Sequence, residues 1–467
     1  MGNRIILIED RLTKEILNTL LRNGADFSEI FVQRRVFNNL RLEDSKIENS
    51  SSGYELGCGL RLWVGDSTFY AYVDSLEKNK LLNAAKVLSS SINGSSSLKV
   101  LNLAETKSSY NTNVKKSPDK IHPGSKKNIL EAVDKSSRDF SSTIIQVTST
   151  LSDTREEIYI ANSYGAFSFE KMVKTFLAVN VVARKRKDIR TGYKSLARTS
   201  GYETFDFKNP KSLAWEASKI AVNMLDAVNA PAGELPVVIG PAFGGVIFHE
   251  ACGHGLEADA ILKGASVFKD KIGKKIATSM VTAIDDSTLD YHWGSYKFDG
   301  EGYPSSKTVL IKDGILQSYI YDLRTSKKLG AKQTGNGRRQ SFRHVPVPRM
   351  SNTYIESRDE DSGSIIKSVN KGIYAREFAG GQVDPATGDF VFGISEGYLI
   401  ENGKISFPIK DATLIGNGPD ILKKIEVVAS DLDFAPGFCG KSGQSISNEV
   451  GQPTIKVSKI TVGGTEN

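Results

Sequence analysis

The chain has 467 residues, 39% hydrophobic and 25% charged, a balance that excludes intrinsic disorder, and its length allows two or three domains at roughly 100–200 residues each. Its 61 basic and 54 acidic residues leave a net charge of +7, mild enough that a solvated surface accounts for it and no nucleic-acid partner is expected. No apolar run approaches the roughly 18 residues a membrane span needs, and Glu9 and Asp10 interrupt the stretch an export signal would use, so a cytoplasmic protein without membrane contact is expected.

Residues 11–22 carry Leu12, Ile16, Leu17, Leu20 and Leu21 at helical spacing, with Gly24 ending the pattern. Between 29 and 73 the texture changes to short strand-like runs, the last two joined by a hairpin turn at Gly65-Asp66, and a second helix is predicted over 76–89. The Ser/Gly-rich stretch Ser89–Ser97 and the polar residues 107–126 read as a linker or long surface loop. A helix near 127–137, strands over 142–149, 156–162 and 174–184, and a helix over 211–229 follow. Beyond Pro236 nearly everything is strand and turn, with hairpin signals at Asp313-Gly314 and Asn402-Gly403 and a turn over Asp384–Asp389. The expected fold class is α+β. Helix and antiparallel-sheet domains over 1–97 and 98–232 precede a mostly antiparallel β domain over 233–467, a sandwich or partly closed barrel carrying one metal-binding helix. The basic run Arg184–Lys187 and the cluster Arg338, Arg339 and Arg343 read as solvated faces.

Residues 243–257 hold the most informative pattern, His249-Glu250-Ala251-Cys252-Gly253-His254, in a chain with only five histidines. This H-E-x-x-x-H spacing is one residue longer than the H-E-x-x-H of zinc proteases. On a regular α-helix, positions four apart lie about 40° from each other and positions five apart about 140°. Both imidazoles therefore reach one metal only if the helix ends or carries a π-type bulge between them, where Gly253 and Gly255 relax the backbone. The plain alternative is a glycine-rich helix end whose histidines make structural hydrogen bonds. A catalytic zinc needs a third protein ligand, naturally a cysteine or a carboxylate. Cys439, in the loop-like Gly437-Phe438-Cys439-Gly440, is one candidate; Cys252 is a competitor better read as packing, and Cys58 reads as core. Three scattered cysteines do not make a disulfide framework. The chain lacks a dinucleotide fingerprint, a Gly-x-Ser-x-Gly elbow and a calcium loop.

Four blocks extend the motif into a family pattern: HEACGHGLEAD, residues 335–355 (GNGRRQSFRHVPVPRMSNTYI), residues 374–405, and APGFCGKSGQ. Together with LRLEDSKIENSSSGYELGCGLRL near the N-terminus, their order and spacing resemble the TldD/PmbA family, whose members are also called modulators of DNA gyrase. The resemblance runs through nearly the whole chain and is looser over 90–140. It implies a zinc (Zn2+) peptidase of the cell interior that hydrolyses short or unfolded peptides, with His249, His254 and Cys439 as metal ligands and Glu250 as catalytic acid/base. Glu257 and Asp259 are candidate supports for the ligand imidazoles, or helix-end caps. Tyr291, His292 and His344 are oxyanion candidates on residue type alone. Because the chain keeps both halves of the metal motif, it resembles the active branch and not the metal-free PmbA/TldE branch. The resemblance implies a homodimer or a heterodimer with a PmbA/TldE-like paralogue, and a peptide substrate bound in extended form. The alternatives are a catalytically silent scaffold subunit or a nucleic-acid-associated regulator.

Overall fold

A computed structural model describes residues 7–108, 110, 112–384 and 386–464. The first predicted helix forms over Asp10–Leu21, burying Ile16, Leu17, Leu20 and Leu21, and lies beside a second over Lys78–Ser90. Both cover one face of a seven-stranded sheet built from Phe27–Glu43, Lys46–Val64, Ser67–Val73, Ala104–Glu105, Ile144–Asn162, Ala166–Lys185 and Asp188–Arg198. Helices Pro123–Arg138 and Pro210–Asn223 cover the rest of that face through Leu130, Val133, Leu213 and Ala217.

The strands are longer than the sequence pattern suggests. Residues 29–43 form one strand and not two, and the runs at 142–149 and 156–162 are likewise one strand, Ile144–Asn162. Their polar centres stay in the ladder because they pair across strands, Arg34 with Glu157 and Gln33 with Glu156. The expected linker is also pinned to the sheet: the amides of Leu101, Ala104 and Thr106 donate to Ser163, Gly165 and Phe167 at 3.1, 2.8 and 2.7 Å. Val100 and Leu103 pack against the N-terminal core. The basic run is the hairpin turn before Asp188, with Arg186 at φ +58°.

The helix predicted to 229 stops at Asn223, and Val228–Asn229 instead pairs with strand Lys404–Lys410. Gly233–Ile239, Lys371–Val383, Asp389–Glu401, Thr413–Asn417 and Ile455–Gly463 then close on one another as a five-stranded barrel. Val237, Ile239, Ile373, Phe392, Leu414 and Val457 are buried in its core cluster. The barrel is thus fully closed where the sequence suggests a sandwich or a partial closure. A six-stranded sheet stands beside it, ordered Ile315–Leu316, Lys307–Lys312, Ala283–Asp286, Asn352–Ile355, Gln444–Gln452 and Asp433–Lys441. All three predicted hairpin turns form: Gly65-Asp66 joins Val64 to its partner Ser67, Asp313 and Gly314 lie at φ +48° and +83°, and Asn402 and Gly403 at +50° and +73°. In the Asp384–Asp389 turn the Asp384 amide donates to Asp389 at 2.9 Å, while Pro385 lies outside the described residues. Among the described residues, no helix is long and apolar enough to cross a membrane.

A buried ionic joint ties the N-terminal sheet to the C-terminal half. Arg61 donates to Glu29 on the neighbouring strand and, at 2.7 Å, to Glu301; Arg339 donates to Glu29 from the other side. All four side chains are almost fully buried. Removing one partner from such a set strands the others without water, at a cost of about 3–5 kcal/mol. Arg61→Ala is expected to destabilise the fold by that amount in urea unfolding. Lys80→Ala, which breaks only the exposed pair with Glu77, is expected to cost under about 1 kcal/mol.

Candidate metal centre

The motif segment begins at Ala242, a non-glycine residue at φ +61°, and runs between the barrel and the six-stranded sheet. One face buries Val246, Ile247, Phe248, Ala251 and Cys252 in the main core. Over His249–Gly253 the helix widens to a π-turn, in which the His254 amide donates to the His249 carbonyl five residues back. A π-turn places residues five apart one above the other, so the extra residue in H-E-x-x-x-H is absorbed and both imidazoles emerge on the same side. Two glycines let neighbouring elements press in. A side chain at Gly253 would come within 2.2 Å of Met350 Sδ, and one at Gly245 within 2.7 Å of the Gly451 carbonyl. The segment after His254 is a short 3-10 turn, His254–Leu256, which aims Glu257 back at the imidazole.

Cys439 arrives from the strand Asp433–Lys441, at the edge of the six-stranded sheet. Its Sγ lies 3.3 Å from His254 Nε2, and the ligand atoms of His249, His254 and Cys439 all fall within 4.8 Å of one another. A tetrahedral zinc with bonds of about 2.0–2.3 Å holds its donors roughly 3.3–3.8 Å apart; the His254–Cys439 pair stands at that spacing, and the set as a whole would close by about 1 Å at most to meet it. Glu250 Oε2 is 3.6 Å from His254 Nε2, and its side chain keeps 29% of its surface exposed. The carboxylate therefore stands at the mouth of the donor cluster, in reach of solvent.

Charge is arranged to favour a thiolate. Burial alone would raise the Cys439 thiol, yet hydrogen bonds and charge from His249 and His254 hold it at about 4. Burial likewise opposes protonation of His254, but the Glu257 carboxylate and the Cys439 sulfur raise it well above its ordinary value. Glu257 Oε2 accepts from His254 Nδ1 at 2.9 Å, fixing the ring so that Nε2 faces the sulfur. Despite its burial, Glu257 is held well below the usual carboxylate range by Lys441 and His254. Lys441 Nζ donates to Glu257 at 2.8 Å, to Asp259 at 2.6 Å and to the Pro348 carbonyl at 3.1 Å. Asp259 thus reaches the site through Lys441, and Glu257 through the imidazole itself.

The remaining sequence candidates have other partners. Cys252 is buried among Ile247, Phe248, Ile355 and Leu422, and burial pushes its thiol up. His292 Nδ1 lies 2.6 Å from Glu449, on the face of the Cys439 hairpin opposite the sulfur. His344 pairs with Ser341, and the Tyr291 carbonyl accepts from the Thr199 amide. Arg338 and Arg339 are buried, and Arg343 pairs with Glu55 and Asp74, so these arginines serve the interior and the joint more than a polyanion. Three supporting residues are not singled out by the sequence, although Lys441 and Arg349 lie within the family blocks. Asn448 brings its amide nitrogen 3.4 Å from the His249 ring nitrogens, Lys441 anchors Glu257, and the Arg349 guanidinium donates to the Cys439 carbonyl. Each lies at least 90 residues from the group it serves, a separation that no local spacing records.

Sequence profiles for the PmbA/TldA metallopeptidase domain 1, central domain and C-terminal domain match residues 28–92, 116–225 and 232–464. A metalloprotease TldD homolog of Haemophilus influenzae is 36% identical over 482 aligned residues, covering 100% of this chain and 99% of that protein. The chain belongs to the PmbA/TldD metallopeptidase family. A metalloprotease of Methanocaldococcus jannaschii is 34% identical, with 93% of this chain and 96% of that protein covered. The zinc metalloprotease TldD homolog of Saccharolobus solfataricus is 33% identical over 62% of this chain and 64% of its own length. Two solved structures share the fold at 20% identity, each covering 97% of this chain and 99% of its own. They are a proposed modulator of a DNA gyrase from Thermotoga maritima, at a TM-score of 0.81, and TldE from Thermococcus kodakarensis, at 0.78.

Proposed function

We propose that this PmbA/TldD-family chain is a zinc-dependent peptidase of short or unfolded peptides, with His249, His254 and Cys439 holding the metal and Glu250 moving the proton. The observation that carries the reading is the convergence of these three donors within 4.8 Å, with the Glu250 carboxylate beside them and open to solvent. His249, His254 and Cys439 would hold the zinc, which when bound would supply Lewis-acid polarisation of a carbonyl and a water whose pKa is lowered toward neutrality. Glu250 Oε2 takes the proton of the attacking water and returns it to the leaving amine nitrogen. Glu257, itself anchored by Lys441, holds His254 in the tautomer that presents Nε2. Loss of such an outer partner costs about 10–100-fold in metal affinity. Glu257→Gln is therefore expected to weaken zinc binding by that factor in a competition titration with a chromogenic chelator.

An extended substrate suits the position of the Cys439 strand, which has one partner strand among the described residues, Gln444–Gln452. Strand addition would provide affinity with little demand on side chains. The carbonyls of Gly437 and Cys439 already accept from Trp293 Nε1 and Arg349, so an added peptide would lean on the strand's amides. The test is zinc content together with cleavage of an unfolded protein and its folded form, with and without chelator. Chelator-sensitive cleavage of the unfolded form alone is expected, and equal cleavage of a compact folded protein would overturn the substrate class. Family resemblance supports a dimer with a second copy or with a PmbA/TldE-like paralogue; light scattering of the chain alone and mixed with such a relative measures it.

A further inference from the structure

The N-terminal sheet has a second face that no helix among the described residues covers. Where the covered face is apolar, this one mixes aromatic side chains such as Phe37 and Phe176 with polar ones: Gln33 and Arg35 on one strand, Thr154 and Glu156 on the next, Glu170 and Lys174 on the third. Part of it packs against the C-terminal half, Phe31 and Ile160 on Phe342 and Glu29 on Arg339, and over the rest the two stand apart. Between them lies a cavity of about 570 Å³, within the range of small-molecule and peptide sites. Its far wall is Trp293 and the outer face of the Cys439 hairpin, with Phe438, Ser445 and Ser447. Phe438, at 59% exposed, marks its mouth.

Two cations stand in this cavity without a carboxylate within ion-pair distance among the described residues. Arg338, only 7% exposed, donates to the carbonyls of Met350 and Ser447 and lies over the Tyr296 ring. Lys174 donates to the Trp293 carbonyl at 3.2 Å and to the Ser447 hydroxyl, with its ammonium 5.0 Å from the Trp293 ring centroid. Burial and the neighbouring Arg338 bring the Lys174 ammonium down to about 7. The acid that could have neutralised them, Glu170, is turned toward the amides of Lys297 and Phe298 at 2.6 and 3.2 Å, and burial pushes it up to about 7. Lys174 is half-buried and feels Glu156 and Glu170 only at a distance, whereas Arg338 is buried and held by carbonyls alone, so an anion arriving in the cavity would relieve the cost of burying that charge. Around the cations the lining supplies the aromatic faces of Phe176, Trp293 and Phe438 and the hydroxyls of Ser445 and Ser447, which suit a peptide better than a bare inorganic anion. Its other charged groups, Arg35, Arg339, Glu156, Glu170 and Asp299, are held by protein partners.

We propose that this cavity is a second binding site, distinct from the metal ligands, which takes the free C-terminal carboxylate of a short peptide on Lys174 and Arg338 with the adjoining residue against Trp293. The site shares a wall with the metal centre: Phe438 and Ser447 face the cavity, while their neighbours Cys439 and Asn448 face the histidines. The inference rests on the peptidase reading only for the identity of the ligand, and its test requires no turnover. Full-length chain carrying Glu250→Gln is titrated calorimetrically with tetra-alanine and with its C-terminal amide. A charge-assisted hydrogen bond to the carboxylate is worth about tenfold or more in affinity, so the free acid is expected to bind at least about tenfold more tightly. Adding Lys174→Met is expected to bring acid and amide within about twofold, with the thermal transition unchanged as a check on folding. Equal affinities in the parent protein, or a preference that survives Lys174→Met, would overturn the proposal. Displacement of the peptide by acetate at equal concentration would overturn it too, by reducing the site to a simple anion hole.

Discussion

Glu250→Gln is expected to keep its metal and to lose peptide hydrolysis by about 10²–10⁴-fold, the usual worth of a general acid–base group. The substitution preserves side-chain size and touches none of the donors: the Cys439 sulfur, the His249 ring and the His254 Nε2 all remain. It removes a carboxylate that stands beside the cluster and reaches solvent. Elemental analysis and kcat on the same preparation separate the two effects. Zinc at wild-type content with lost turnover is the expected result; wild-type turnover would remove Glu250 from the mechanism.

Cys439→Ala is expected to lose both metal and activity. It takes away one of the three proposed donors, the one that comes from a segment 185 residues distant from His254. The strand itself should persist, since Arg349 holds the Cys439 backbone carbonyl and not the side chain. Added zinc at about 100 times its Kd should stabilise the native protein by about 2.7 kcal/mol against thermal unfolding, and the variant by nothing comparable. Cys252→Ala is the control. Its sulfur is packed among Ile247, Phe248 and Ile355, so metal content should stay unchanged while stability falls modestly. Retention of zinc by Cys439→Ala together with its loss from Cys252→Ala would place the third donor within the motif helix.

The sequence is most legible where one local period controls the outcome. Helical spacing locates Asp10–Leu21, and the two-residue turns at Asp313-Gly314 and Asn402-Gly403 announce their hairpins. Geometry also requires a break or a π-turn in H-E-x-x-x-H, and the π-turn over His249–Gly253 is what forms. Polar residues in mid-strand hide two long strands, because Arg34 and Gln33 are satisfied by Glu157 and Glu156, each 123 residues away. Similar distance hides Lys441 and Asn448, which serve the centre from a hairpin whose approach depends on how the six-stranded sheet assembles. The arginines at 338, 339 and 343 look like a wet basic face, and only the tertiary structure turns two of them inward.

The ionic joint also bears on the order in which the protein is made. Arg61 is synthesised 240 residues before Glu301, and Glu29 310 residues before Arg339. At about 5–20 residues per second, the N-terminal sheet waits on the ribosome for roughly ten seconds to a minute with its Arg61–Glu29 pair lacking both later partners. During that interval the pair has to stay hydrated, and the uncovered sheet face that later meets the C-terminal half stays wet with it. A fragment truncated before Glu301 is left in that state permanently. The joint is therefore completed only as the last third of the chain emerges.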